Sequence, residues 1–185
     1  MSFDKLQILD AAVAVVARDG IANLTLEAVA AQAGMSKGGL LHHFPSKDRL
    51  VEAMVERTAH EWLTTLNEAY AKVAPGPGRL ARAIIDHCLV DAPCWTEELR
   101  LRSAAVFAAL AQNPRLIAPL RVVYGEIQER IAADGLPTGV SEAVVAAVDG
   151  LWLNWVLGLG PVDQPRVERV RVALERLIRS SQESS

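Results

Sequence analysis

The stretch from Leu24 to Leu50, LTLEAVAAQAGMSKGGLLHHFPSKDRL, constrains the fold more than any other part of the chain. Thr25 and Ser36 are good N-cap residues, because their side-chain oxygens accept the free N–H groups of a first helical turn. Gly34 suits the left-handed position that closes a helix, and Phe44-Pro45 stops the next one before Ser46 opens a third. The spacing therefore predicts two helices of about two turns each, joined at Ala33-Gly34-Met35. Such a pair is too small to bury its own apolar residues. Val29, Met35 and Leu40 face inward, and the small Ala30 lets the helices cross closely. A further helix must cover them, and the segment Asp4 to Arg18 supplies it, with Leu6, Leu9, Val13 and Val16 along one side. The pattern is a helix-turn-helix on a three-helix core.

The rest of the chain is helical as well. Gly20, Pro75 to Gly78, Pro93, Asn113-Pro114, Gly135 to Gly139 and Gly160-Pro161 punctuate it, and no run between them alternates in the strand manner. The segments are Ser46–Val73, Arg79–Asp91, Thr96–Gln112, Leu116–Ala133, Ser141–Leu159 and Pro165–Arg179, which brings the chain to about nine helices. Pro119 must kink or restart the seventh. Ser141–Leu159 is apolar nearly all round and must be buried on several sides, while Val167, Val170, Leu174 and Leu177 form a helix-packing seam in the last segment. With 51% apolar residues the chain has material for a real core. The expected fold class is all-α.

Charge and cysteine usage exclude several functions. Nineteen Lys plus Arg against 22 Asp plus Glu give a net charge of −3, which rules out a uniformly basic coat but not a local basic site. Lys37, Lys47 and Arg49 supply such a site around the second short helix, where His42 and His43 add donors. Gly38 and Gly39 sit in that helix at a cost of roughly 1 kcal/mol each relative to Ala. Either the helix start tolerates them, or missing side chains let the helix approach a DNA backbone or base edges. Cys88 and Cys94 make no disulfide framework, and with His87 they lack zinc spacing and a fourth ligand. No nucleophile motif, phosphate loop or dinucleotide fingerprint is present. No metal, cofactor or enzymatic activity is expected. The N-terminus has no basic-then-apolar run, and Ala143 to Pro161 contains Asp149, Asn154 and glycines. A reduced, soluble, cytoplasmic protein is expected.

The first 50 residues resemble the DNA-binding region of TetR-type (tetracycline-repressor-like) transcriptional regulators. The resemblance is carried by Ile8-Leu9-Asp10-Ala11-Ala12, Gly20, Thr25, Ala30, Gly34, Ser36-Lys37-Gly38, Leu40, His43-Phe44-Pro45-Ser46-Lys47 and Leu50. It implies a DNA-binding domain over residues 1–46 and a helical ligand-binding and dimerisation domain over 47–185. It also implies a homodimer formed through the last two helices, double-stranded operator DNA as partner, and release of a palindromic operator by a small molecule, with the fourth helix coupling the two events. Thr25 and Lys47 would touch phosphate. Lys37, Gly38, Gly39, His42 and His43 would face the major groove and adjacent backbone, and Ser36 and Leu41 are further DNA-binding positions. Leu41 stands where such proteins often carry Tyr, and Gly39 where they often carry Thr. A Tyr donates a hydrogen bond to phosphate, and Leu cannot.

Candidates for the small-molecule site come from polar and aromatic residues in apolar helices. Leu80, Ile84, His87, Cys88 and Asp91 share one stripe, and His87 and Asp91 either pair locally or meet a ligand. Trp62, Trp95, Phe107, Trp152 and Trp155 are either core or pocket. Together with Asp149 they suit a flat apolar molecule that can be cationic. Asp149 and Asn154 need partners if buried, and either face a ligand or pair across a dimer. Arg100, Arg102, Arg121 and Arg130 are the counter-case, since they would bind an acid if they turned inward. A regulator without a small-molecule inducer, and an all-helical enzyme or adaptor using the helix-turn-helix only for packing, are the competing readings. Salt-dependent, sequence-specific DNA binding separates the last from the others.

Overall fold

The computed structural model describes residues 5–90, 95–97, 99–101, 103–104, 107 and 113–183. Among these there is no strand, and the α-helices number nine. They are α1 Lys5–Asp19, α2 Leu26–Gln32, α3 Lys37–His43, α4 Lys47–Lys72, α5 Arg79–Ile85, α6 (the described residues within 97–107), α7 Ala118–Ala132, α8 Val140–Val156 and α9 Gln164–Glu183. A 3₁₀ turn, Ile21–Asn23, precedes α2, another, Pro114–Ile117, precedes α7, and a π-helical turn, Asp86–Val90, continues α5. Pro119 falls in the first turn of α7, where its missing N–H costs nothing, so it restarts the helix there.

The chain forms two compact units. The first comprises the described residues of 1–60 and 97–122, the second those of 61–96 and 123–185. In the first, α1 packs on α2 and α2 on α3. Ile8, Ala12, Val15, Leu24, Val29, Ala30, Leu40 and Leu50 are buried at its centre, with Met35 packed against them. The buried face of α1 is Ile8, Leu9, Ala11, Ala12, Val15 and Val16, one position over from the expected stripe, and Leu6 is exposed. The small Ala11 and Ala12 on that face leave room for the neighbouring helix.

In the second unit α8 packs on α5 and α9, and α9 also meets α5 and the π turn. Leu80, Ile84 and Ile85 of α5, Ile127 and Ile131 of α7, Val144, Val148 and Leu151 of α8, and Val167, Leu174 and Ile178 of α9 form its interior. The loop ahead of α5 and the loop ahead of α8 pass each other closely, and glycine makes this possible. Gly78 has φ +77°, and a Cβ there would stand 2.9 Å from the Leu136 side chain. Gly135, at φ +74°, faces the Pro77 backbone, which a Cβ would meet at 3.4 Å. Asp134 locks the crossing. Its buried carboxylate accepts the N–H groups of Leu80 (2.7 Å) and Ala81 (3.1 Å) at the start of α5 and the hydroxyl of Ser141 (2.9 Å) in α8. These are N–H groups that a helix start leaves without intrahelical partners.

Candidate functional site

Two groupings of residues stand out, one in each unit. The first is the exposed face of α3. Ser36 accepts the Gly39 N–H (3.1 Å), Thr25 accepts the Ala28 N–H (3.1 Å), and Ser46 accepts the Arg49 N–H (3.2 Å), so the helices flanking both turns start on side-chain caps. Each such cap is worth about 1 kcal/mol. Between α2 and α3, Gly34 adopts φ +67° while the Met35 N–H donates to the Ala30 carbonyl (2.9 Å) and the Gly34 N–H to that of Ala31 (3.2 Å). That pair of hydrogen bonds is the Schellman closure, and it fixes the angle at which α3 leaves α2.

Leu40 and Phe44 then anchor α3 in the core. Lys37, Gly38, Leu41 and His42 remain exposed, with Gly39 and His43 half-buried beside them. At 3.6 residues per turn the four exposed positions share one arc of about 140°. Lys37 forms an ion pair with Glu27 of α2, and that cation holds the Glu27 carboxyl below its ordinary value. Lys47 is half-buried at the start of α4, its ammonium donating to the Ile21 carbonyl at 3.5 Å. Thr25 and Ser36, whose hydroxyls serve the caps, are also exposed. The face offers cations, a helix start and a nearly bare strip of backbone, which matches what a duplex major groove can accept.

The second grouping is aromatic and lies in the second unit. Trp62 and Tyr124 stack with ring centroids 5.7 Å apart and planes at 20°. The Tyr124 hydroxyl donates to Asp149 Oδ1 at 3.0 Å. Trp95 meets Trp155 edge to face at 5.2 Å, and its indole N–H donates to the Cys88 carbonyl at 2.7 Å. Next to Cys88, His87 Nε2 lies 3.2 Å from Thr65 Oγ1. The π turn Asp86–Val90 widens the backbone where His87 and Cys88 sit, a distortion frequent at functional positions. Burial pushes the Asp149 carboxyl above its ordinary value, offset in part by the Tyr124 hydrogen bond. Burial, with the neighbouring Asp149, also pushes the Tyr124 hydroxyl well up, so it stays a donor. The Trp62–Tyr124 stack thus ends, through the phenol hydroxyl, on a half-buried carboxylate.

Six of the eight residues expected at a small-molecule site are described in this unit. The structure joins Trp62 to Asp149 through Tyr124, Trp95 to Trp155, and His87 to Thr65, while Trp152 is half-buried on α8. Phe107 is half-buried and belongs to the first unit. Asp91, Cys94 and Arg102 lie outside the described residues. Asp149 finds its partner within the chain, and Asn154 donates to the Gly150 carbonyl of its own helix (2.7 Å). Of the arginines, Arg100 donates to Glu97 (2.8 Å), and Arg130 donates to Asn67 (2.8 Å) while covering the Tyr70 ring, which Arg79 also covers. Arg121 is exposed.

Tyr124, Thr65 and Asp134 are absent from the sequence-based selection. Tyr124 had a signal, a phenol amid apolar helix positions, but its partner Asp149 is remote in sequence and no local spacing links the two.

The profile described as "Bacterial regulatory proteins, tetR family" matches residues 8–54, and that described as "Tetracyclin repressor-like, C-terminal domain" matches residues 78–179. The HTH-type transcriptional regulator BetI of Burkholderia ambifaria is 29% identical over 170 residues, covering 86% of this chain and 85% of its own. The crystal structure of the multidrug binding protein EbrR complexed with malachite green is 31% identical, covers 94% of this chain and 97% of its own, and has a TM-score of 0.64. Its complex with ethidium gives 28%, the same coverage and 0.65. A TetR-family member from Streptomyces coelicolor A3 is 28% identical, again with 94% and 97% covered and a TM-score of 0.68.

Proposed function

The chain belongs to the TetR family of bacterial regulatory proteins and is a helix-turn-helix transcriptional regulator, and on that premise we propose that it is a repressor released from a palindromic operator by a flat apolar cation. Residues 1–46 are the reading head in this proposal and 47–185 the effector and dimerisation part. Regulation takes place in the cytoplasm, where the operator is. Ligand binding shifts the population toward dimers whose two heads no longer match the half-site spacing. The observation that carries the DNA-reading part is the exposed α3 arc of Lys37, Gly38, Leu41 and His42 above the buried Leu40. The test is binding-site selection from random duplexes. The expected result is an inverted repeat bound with a steep loss of affinity between low and physiological salt. Binding that shows no sequence preference sinks the proposal.

The stack of Trp62 on Tyr124, with Asp149 at the phenol, supports the cationic ligand, and the dyes in the EbrR complexes, malachite green and ethidium, are aromatic cations. A cation binds best when Asp149 is ionised. Because burial raises the Asp149 pKa, affinity for a permanently charged dye is expected to climb as pH rises through that raised value. Without ligand the sign is opposite. The contribution of Asp149 to stability is full at low pH and fades over the same rise. Asp149→Asn is expected to flatten the pH profile of dye binding and weaken it about 10- to 100-fold, which corresponds to roughly 1.4–2.7 kcal/mol of lost attraction. Titration by dye fluorescence checks this, and anions binding more tightly than cations would reverse the assigned polarity.

For the dimer, the structure redirects the choice of residue. Of the seam residues, Leu174 is 7% exposed and packs inside its own chain, while Leu177 is 39% exposed. Leu153, Leu157 and Leu159, in and after α8, are exposed as well. We assign Leu177 and the α8 end to the partner-facing surface. Leu177→Arg is expected to raise the dimer dissociation constant about 100-fold with the thermal midpoint nearly kept, as each buried Leu contributes roughly 1.5–3 kcal/mol. Wild-type dimerisation of that variant in sedimentation would remove α9 from the interface.

A further inference from the structure

The exposed arc of α3 carries few groups able to read a base. Gly38 has no side chain, and beyond its chain neighbours and its own helix backbone only the Ser36 hydroxyl, at 4.0 Å, lies near where its Cβ would be. The Lys37 ammonium is engaged with Glu27 of α2. That leaves His42 and Leu41, and Leu41 is 38% exposed on the same arc, one turn beyond Lys37. Its neighbour Leu40 is fully buried, so rotating α3 to hide Leu41 would expose Leu40. Leu41 therefore stays on the surface because the core fixes the helix, and beside a glycine it is the bulkiest apolar group that the arc presents.

The edge of a base pair in the major groove carries one apolar group, the C5 methyl of thymine, among acceptors and donors. An isobutyl group set against a guanine or adenine edge would strip water from N7 and O6 or N6 and return no hydrogen bond. Set against thymine, it buries a methyl. We propose that Leu41 is a specificity-determining residue that reads a thymine methyl in each half-site. This rests on the regulator reading given above and adds the base that the arc selects.

Replacing thymine by uracil deletes the methyl and leaves every hydrogen-bonding group in place, which makes it the direct probe. In the selected inverted repeat, each thymine position is replaced by uracil symmetrically in both half-sites, and affinity is measured with the intact dimer. One position is expected to lose about fourfold per half-site, or about 15-fold for the pair, the effect of withdrawing one methyl from contact twice. Leu41→Ala should bind the thymine duplex more weakly and be indifferent to uracil at that position. Leu41→Met, which keeps an apolar side chain of similar volume, should retain the sensitivity. Cytosine carrying a 5-methyl group at the same position should bind better than plain cytosine to the wild-type protein and not to Leu41→Ala. A selected operator whose affinity ignores the loss of every thymine methyl, or a methyl effect that persists unchanged in Leu41→Ala, overturns this assignment alone. Failure to select any sequence overturns the regulator reading and this assignment together.

Discussion

Asp134→Ala is expected to destabilise the second unit by about 3 kcal/mol and to lower the thermal midpoint by roughly 6–12 °C. The carboxylate is buried and accepts three hydrogen bonds, from the Leu80 and Ala81 amides and from Ser141. Its own carbonyl accepts the Gly78 N–H at 2.6 Å. Alanine keeps that last bond and deletes the other three. The two amides at the start of α5 are then buried with no acceptor, and an unmet buried donor costs about 1–3 kcal/mol. The three losses share one carboxylate, so they do not simply add. Ser141→Ala removes only one of them and should cost about 1 kcal/mol, whereas Asp134→Asn, which keeps an accepting oxygen, should fall between. Denaturant titration with far-UV circular dichroism checks the order Ser141→Ala, Asp134→Asn, Asp134→Ala. An Asp134→Ala protein within 1 kcal/mol of wild type would mean that water replaces the carboxylate at the helix start.

That lock shows where sequence reasoning stops. The helix starts at Thr25 and Ser36 and the closure at Gly34 are legible because a cap and its amide lie three residues apart, and the chemistry is local. The all-helical class is legible for the same reason, since periodicity is a property of neighbours. Asp134 and Leu80 lie 54 positions apart, and nothing in either neighbourhood announces the other. An Asp before Gly135 reads as an ordinary turn residue. The same holds for Tyr124 and Asp149. Trp62 and Asp149 are legible as candidates, Trp62 as core or pocket and Asp149 as a carboxylate in an apolar helix that needs a partner if buried. The phenol that connects them was not readable, because the connection exists only once α4, α7 and α8 have assembled. The last helix gives the opposite case. Val167, Val170, Leu174 and Leu177 share one apolar stripe, but periodicity cannot say which partner takes which residue. Val167, Leu174 and Ile178 turned inward, and Leu177 did not.

The largest functional effect is expected at Gly38. Replacing it by Leu should lower operator affinity at least about 30-fold while leaving the fold intact or slightly more stable. The fold can accept the side chain. Gly38 has an ordinary helical backbone, and beyond its chain neighbours and its own helix backbone a Cβ there meets only the Ser36 hydroxyl, at 4.0 Å. Leu is the better helix former by roughly 0.8 kcal/mol. The operator cannot accept it if α3 lies in the groove with this arc foremost, because the added atoms would occupy the space between helix and base edges. Overfilling a packed interface costs about 1–3 kcal/mol, and a dimer incurs it at both half-sites, about 2–6 kcal/mol in all, which yields a factor of roughly 30 or more. Gly39 is the poorer site for this experiment. A Cβ there would stand 3.3 Å from Met35 Cε and 3.4 Å from the Ser36 hydroxyl that caps the helix, so stability and binding would change together. Gly38→Ala supplies the graded control, with a smaller loss from one methyl. Fluorescence anisotropy on the selected operator, paired with thermal melts, separates the two effects. A well-folded Gly38→Leu protein that binds within threefold of wild type would show that this arc of α3 does not face the DNA.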